Sequence, residues 1–163
     1  MDPLLLSALL ATCAPQVHPT TALALIAVES NGNPHAIGIV GGVLRRQPTN
    51  RGEALATARA LHAAGWGFSV GLGQINQRNF ARLGLTIDSA FEPCTNLAAM
   101  QTVLTECFER AAHRQPQAAA ALRASLSCYY SGNFHTGLRH GYVRKVARAS
   151  AAIPATPTSK EES

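Results

Sequence analysis

Glu29 is the residue whose type and setting point most directly to chemistry. It closes the run TTALALIAVESN (residues 20–31), where Ala22, Leu25, Ile26 and Glu29 fall at i, i+3, i+4 and i+7 and so share one helix face. Leu23, Ala24, Ala27 and Val28 fill the remaining positions, which makes this helix apolar nearly all round and buried. A carboxylate in its last turn is disfavoured in the charged form by burial and again by the negative end of the helix dipole. Both effects raise its pKa, the requirement for a general acid working near neutral pH. The competing role is structural: a carboxylate that caps a neighbouring loop.

The other acids have simpler roles. Asp2 caps a first helix, Glu53 fits a capping box, Asp88 caps the turn before Phe91, and Glu92 lies in a loop. Glu106 and Glu109 sit on a solvated helix face, and Glu161 and Glu162 in a polar tail. No second carboxylate is poised beside Glu29, although ordinary glycoside hydrolysis uses two. Other chemistries lack their parts. There is no Gly-x-Ser-x-Gly, and His135 and His140 read as surface residues without a triad partner. Gly71-Leu72-Gly73 is too short for a phosphate fingerprint. The cysteines (Cys13, Cys94, Cys107, Cys128) contain no Cys-x-x-Cys pair and the His are dispersed, which argues against zinc. Four cysteines suit an oxidising compartment, with four buried thiols as the alternative. If residues 95–112 are helical, Cys94 and Cys107 lie roughly 20 Å apart, too far for a disulfide. Cys13 and Cys128 are then the partners, in an order left open.

These residues need elements to hold them. Asp2-Pro3 reads as an N-cap and first helical position, opening a helix over residues 3–13. Leu4 to Ala11 resembles the apolar part of an export signal, but no Lys or Arg precedes it, so such a signal is missing, removed or atypical. The Glu29 helix is entered through Pro19 and closed by Gly32. Residues 36–47 (AIGIVGGVLRRQ) place two β-prone runs around Gly41-Gly42, a hairpin signal to which Trp66–Val70 adds a third short strand. Asn50 caps a helix reaching Gly65, and a loop follows at residues 71–76. A short helix spans Asn79–Leu83, and a long one runs from Asn96 to Ala112 with Thr95 as cap. Further helices run from Pro116 to Tyr130 and from Gly141 to Ala149. Residues 150–163 read as a disordered tail.

Composition agrees with a mainly helical single domain spanning residues 1–149. At 47% hydrophobic the chain can build a core, yet no apolar run approaches the roughly 20 residues needed to span a bilayer. An aromatic content of 6% argues against a base-stacking nucleic-acid surface. The net charge of +5 suits an anionic partner, and Arg139, Arg144, Lys145 and Arg148 form a basic cluster that reads as a solvated helix face.

Taken together, the segments resemble a known family. Glu29-Ser30 closing an apolar helix, followed by Asn33-Pro34, is similar to the catalytic segment of lytic transglycosylases with a lysozyme-like domain. Gly71-Leu72-Gly73-Gln74-Ile75-Asn76 resembles their second motif, Pro93-Cys94-Thr95-Asn96-Leu97 the lead-in to their next helix, and Cys128-Tyr129-Tyr130-Ser131-Gly132-Asn133 their third motif. The Ile37–Gln47 stretch, Gly65-Trp66-Gly67-Phe68-Ser69 and Gly141-Tyr142-Val143 resemble the branch serving type IV secretion systems. Two departures stand out. Tyr130 occupies a position where many relatives carry Asn. The interval from Glu29 to Gln74 is longer than in compact relatives, which makes the Gly41-Gly42 hairpin an added lobe, a substrate wall or docking surface.

The resemblance implies a mainly α, lysozyme-like fold with a small β-hairpin beside the cleft. It implies non-hydrolytic cleavage of the β-1,4 bond between N-acetylmuramic acid and N-acetylglucosamine in peptidoglycan, leaving a 1,6-anhydro ring. Glu29 is then the catalytic acid and base. Tyr129 hydrogen-bonds the Glu29 carboxyl, and Ser30, Gln74 and Asn76 line the cleft. It further implies a periplasmic monomer without metal or organic cofactor, acting on glycan strands, with secretion-system subunits as partners and no nucleic acid. The alternatives are a hydrolytic muramidase and a non-catalytic glycan-binding component of the secretion machine.

Overall fold

The computed structural model describes residues 1–154. The chain begins with α1 (Pro3–Cys13), where the Asp2 side chain accepts from the N–H groups of Leu4 and Leu5. This is the expected cap, with Pro3 in the first turn, where a missing N–H costs nothing. Pro19 opens α2 (Pro19–Glu29) in the same way. Ala22, Ala24, Leu25 and Ile26 of α2 are buried, while Ala27 is exposed, so the helix is buried on most of its circumference rather than all of it. It stops two residues earlier than its pattern implies, because Asn31 (φ +51°) and Gly32 (φ +72°) turn the chain through left-handed conformations.

A three-stranded antiparallel sheet follows, in the order β1 (Ile37–Ile39), β2 (Phe68–Val70), β3 (Ile75–Asn76). Its register pairs Ile37 with Val70, Ile39 with Phe68, and Ser69 with Asn76. The hairpin expected around Gly41-Gly42 shrinks to a single bridge between Ile39 and Gly42, and β1 pairs instead with β2. Two facts explain the difference. Val43 is 91% exposed, so the second run has no core to face. The Gln47 side chain also bonds both the N–H and the C=O of Ile37, at 2.9 Å each, and so occupies hydrogen-bonding groups that another strand would need.

Between β1 and β2 lies α3 (Arg51–Ala63), capped by the Asn50 side chain on Glu53 N–H as expected. The Glu53 carboxylate returns to the Thr49 N–H and to Arg46 rather than to Asn50. A 3₁₀ turn (Gln77–Asn79) leads into α4 (Phe80–Leu83), and α5 (Ile87–Ala90) is opened by a Thr86/Ser89 capping box. Asp88 therefore does not cap; it bonds Arg59. The long central helix α6 (Pro93–Ala112) begins three residues before the expected Asn96, with Glu92 rather than Thr95 at the cap. Then come α7 (Ala118–Ser131), a short α8 (Thr136–Arg139) not foreseen from sequence, and α9 (Tyr142–Ala152). Arg144, Lys145 and Arg148 are exposed on α9, as a solvated basic face should be. Residues 150–152, expected to lie in a tail, continue α9; the last nine residues of that expected tail lie outside the described residues.

Helix α6 is the spine against which α1 and α7 pack, and α9 lies along α2. Phe68, Phe91, Leu25, Leu72, Leu97 and Met100 are fully buried among them. Two disulfides join the layers: Cys13–Cys94 ties the end of α1 to the start of α6, and Cys107–Cys128 ties α6 to α7. The pairing excluded on helix length is absent, and the open order is now assigned.

Asn96 is the buried polar residue that fastens the helical part to the sheet. Its Oδ1 accepts from Gly73 N–H (2.8 Å), and its Nδ2 donates to Val70 O (3.0 Å) and Ala90 O (2.8 Å). A Cβ at Gly71 (φ +77°) would lie 2.3 Å from Asn96 Nδ2, so only glycine fits there. Asn96→Ala leaves three buried backbone groups without partners and is expected to destabilise the fold by about 3–5 kcal/mol in urea unfolding; a loss under about 1 kcal/mol would contradict this role.

Candidate active site

Helix α2 delivers Glu29 to a cleft of about 250 Å³ whose walls include Gly38, Gln74, Asn76, Arg78 and Tyr129. Glu29 is the only carboxylate among the residues lining it. Four other acids are paired away from it: Glu53 with Arg46, Asp88 with Arg59, Glu92 with Arg51, and Glu106 with Arg82. Removal from water pushes the Glu29 carboxyl from its ordinary 4.5 to about 7, against a smaller opposing effect from a hydrogen bond donated by Tyr142. Burial is thus the dominant cause, and the group exchanges its proton near neutral pH.

The Tyr142 hydroxyl donates to Glu29 Oε1. Tyr142 is buried in the first turn of α9, and its ring stacks on Tyr130 with centroids 4.5 Å apart. The Tyr130 hydroxyl in turn lies 3.3 Å from His140 Nδ1. Sequence reasoning gave the Glu29 contact to Tyr129, and the structure assigns it differently. The Tyr129 hydroxyl is spent on Gly73 O at 2.5 Å, so it braces the loop behind the cleft. Burial and the nearby Glu29 charge push the Tyr129 hydroxyl well above its ordinary range, keeping it a donor. Tyr142 lies 113 residues from Glu29, and no local spacing links the two; the only signal was its place in Gly141-Tyr142-Val143.

Gln74 is held in the left-handed region (φ +49°), uncommon for a non-glycine residue. Its Nε2 donates to Ala36 O (3.1 Å) and Gly71 O (3.0 Å), so both side-chain N–H groups are used and Oε1 remains as an acceptor. A Cβ on Gly38 would lie 2.7 Å from that oxygen. Gly38 therefore makes room for Gln74, a role that sequence pattern did not disclose. Asn76 lines the cleft as expected, with Nδ2 on Ser69 Oγ and Oδ1 accepting from Arg78 N–H. Ser30 does not line it. It is buried, and its hydroxyl donates to Leu72 O at 2.8 Å, locking the end of α2 to the Gly71–Gln74 loop. Of the added lobe, Val40 forms part of the cleft wall, while Trp66 is half-exposed outside it. Among the described residues no group of three or more His, Cys, Asp or Glu could hold a metal ion.

One partly buried, tyrosine-bonded carboxyl facing an amide-lined cleft meets its match in sequence comparison: residues 8–137 fit the Transglycosylase SLT domain model. The chain belongs to the Transglycosylase SLT domain family. Its mainly α fold with a small antiparallel sheet is the lysozyme-like architecture of this SLT family. It is similar to the Type IV secretion system protein virB1 of Brucella abortus biovar 1, with 46% identity over 151 residues, covering 89% of this chain and 63% of that protein. It is also similar to Protein virB1 of Agrobacterium fabrum (36% identity over 154 residues, 92% of this chain, 62% of that protein). The chain thus spans somewhat less than two thirds of the length of these relatives. No solved structure matches it.

Because folding raises the Glu29 pKa, the folded state binds this proton more tightly than the unfolded chain does. The wild type therefore loses stability as pH rises from about 4.5 to about 7, by on the order of 3 kcal/mol in full. Glu29→Gln has no such proton. Its stability advantage in denaturant titrations is expected to be near zero at pH 4, to grow to pH 7 and to level above it. A pH-independent difference would refute the assignment.

Proposed function

We propose that this SLT domain is a peptidoglycan lytic transglycosylase that cleaves the MurNAc-β-1,4-GlcNAc bond and forms 1,6-anhydro-MurNAc. The observation that carries the reading is the carboxyl of the cleft, with a pKa of about 7 and, among the described residues, no second acid lining it. Hydrolysis with inversion ordinarily uses a second carboxylate to activate water, and hydrolysis with retention ordinarily uses one as nucleophile unless the substrate's own N-acetyl group replaces it. Intramolecular attack needs neither. Protonated Glu29 gives its proton to the glycosidic oxygen as the C1–O bond breaks. The substrate's N-acetyl group stabilises the developing positive charge at C1. The C6 hydroxyl of the same muramic acid then bonds to C1, and the Glu29 carboxylate takes the hydroxyl proton. The acid is regenerated and no water is consumed.

A pKa near 7 suits a group that must first donate and then accept. In this scheme Tyr142 stabilises the carboxylate between the two steps and fixes its rotamer. In the same scheme Gln74 Oε1 and the Asn76 amide meet acetamido and hydroxyl groups of the glycan. The matched relatives include a protein named for a type IV secretion system, which supports local opening of the wall for such a machine. Two disulfides suit an oxidising compartment such as the periplasm.

Digestion of purified sacculi followed by mass spectrometry tests the reading. The expected fragments end in anhydro-muramic acid, and Glu29→Gln produces none while remaining folded. The rate kcat/KM is expected to be level at acid pH and to fall about tenfold per unit above pH 7. Fragments one water heavier would establish a hydrolase instead, and undigested sacculi a binding protein.

A further inference from the structure

The charges of this chain are sorted along it. Residues 1–109 contain six Lys or Arg and seven Asp or Glu, whereas residues 110–154 contain seven Lys or Arg and no Asp or Glu. Pairing follows the same division. In the first stretch Arg46, Arg51, Arg59 and Arg82 each hold a carboxylate. Among the described residues none of the seven later cations does. The C-terminal part of the domain therefore carries a field of one sign.

Four of the seven cations lie on α8 and α9. At about 100° per residue, Tyr142, Val143 and Val146 take the inner arc of α9, and all three are buried. Arg144, Lys145 and Arg148 fall within about 100° of one another on the outer arc, and all three are exposed. The side chains exposed beside them are those of Ala147, Ala151 and Ala152, too short to hold a facing surface away. Arg139 is exposed at the end of α8, and its neighbour Leu138 is 44% exposed. None of these side chains lines the cleft of Glu29.

We propose that this face is a docking surface for the anionic headgroups of a phospholipid bilayer, which holds the domain at a membrane with its cleft open. The inference goes beyond the reaction at Glu29 and does not depend on it. Headgroups are mobile and, in an anionic leaflet, of one sign, so each nearby cation adds to binding whatever its exact position. A folded protein partner is met through fixed complementary pairs, which favours a face of mixed sign; here no carboxylate is interleaved. The face is also the convex outside of a helix, which suits a plane better than a polymer strand. Leu138 adds an apolar side chain beside the cations, which the boundary between headgroups and acyl chains accommodates and a hydrated wall polymer does not.

Vesicles test this without substrate. The wild-type domain is expected to partition onto vesicles of equal parts phosphatidylglycerol and phosphatidylcholine and to ignore pure phosphatidylcholine. It is expected to dissociate at about 1 M salt, where the screening length is about 3 Å. Arg148→Gln is expected to lower the partition coefficient about fivefold, and Arg139→Gln/Arg144→Gln/Lys145→Gln/Arg148→Gln by about a hundredfold or more. Arg45→Gln removes the same charge from an exposed position elsewhere and is expected to change it by less than about twofold. Arg144→Lys/Arg148→Lys keeps the charge and is expected to bind like the wild type, while Leu138→Ser loses about threefold. Equal binding to both kinds of vesicle, binding to neither, or the same loss for Arg45→Gln as for Arg148→Gln overturns the proposal. It is also overturned if the face serves the wall instead: the quadruple variant then loses retention on sacculi, in a Glu29→Gln background, while its vesicle binding matches the parent's.

Discussion

A carboxyl group kept out of water is the constraint around which the molecule is arranged. Helix α2 is a poor place for a charge: its neighbours are Ala, Leu, Ile and Val, and Glu29 stands in its last turn. Ionising there is unfavourable, and the fold retains the residue at a cost to its own stability at neutral pH. Tyr142 limits that cost by donating to the carboxylate, and Tyr142 is itself fixed by the stacked ring of Tyr130. Helix α9 packs along α2 so that its first turn arrives at the end of α2. The pairing of α2 with α9 is therefore also the pairing of acid and donor.

The opposite wall is built from backbone. The Gly71–Gln74 loop is gripped from three sides: by Asn96 through Gly73 N–H, by Tyr129 through Gly73 O, and by Ser30 through Leu72 O. These bonds hold Gln74 at positive φ and leave its Oε1 beside Gly38. Ser30, which in sequence looks like a residue lining the cleft, and Tyr129, which looks like the partner of Glu29, both brace this loop. The disulfides act on the same architecture, since both end on α6, the helix that carries Asn96.

What could be read from sequence divides along physical lines. Helix starts were legible where a cap or a proline marks them, as at Asp2-Pro3, Pro19 and Asn50. Glu29 was legible because a lone acid in an apolar helix is a local anomaly. The impossibility of a Cys94–Cys107 bridge followed from helix rise alone. The Gly41-Gly42 hairpin failed because strand pairing depends on what else competes for the edge, and Gln47 does so with a side chain. The partner of Glu29 was misassigned because hydroxyl direction is set by packing between α2 and α9, which no local pattern encodes. Gly38 was missed for the same reason: its absent side chain matters only once Gln74 lies against it.

The central claim is that desolvation holds the Glu29 carboxyl protonated near neutral pH. Direct titration of its carboxyl carbon by NMR, in protein labelled at glutamate and assigned with Glu29→Gln, measures this without substrate. The account predicts a midpoint near 7, well separated from the remaining glutamates. A midpoint near 4.5, the value of a glutamate free in water, would contradict it.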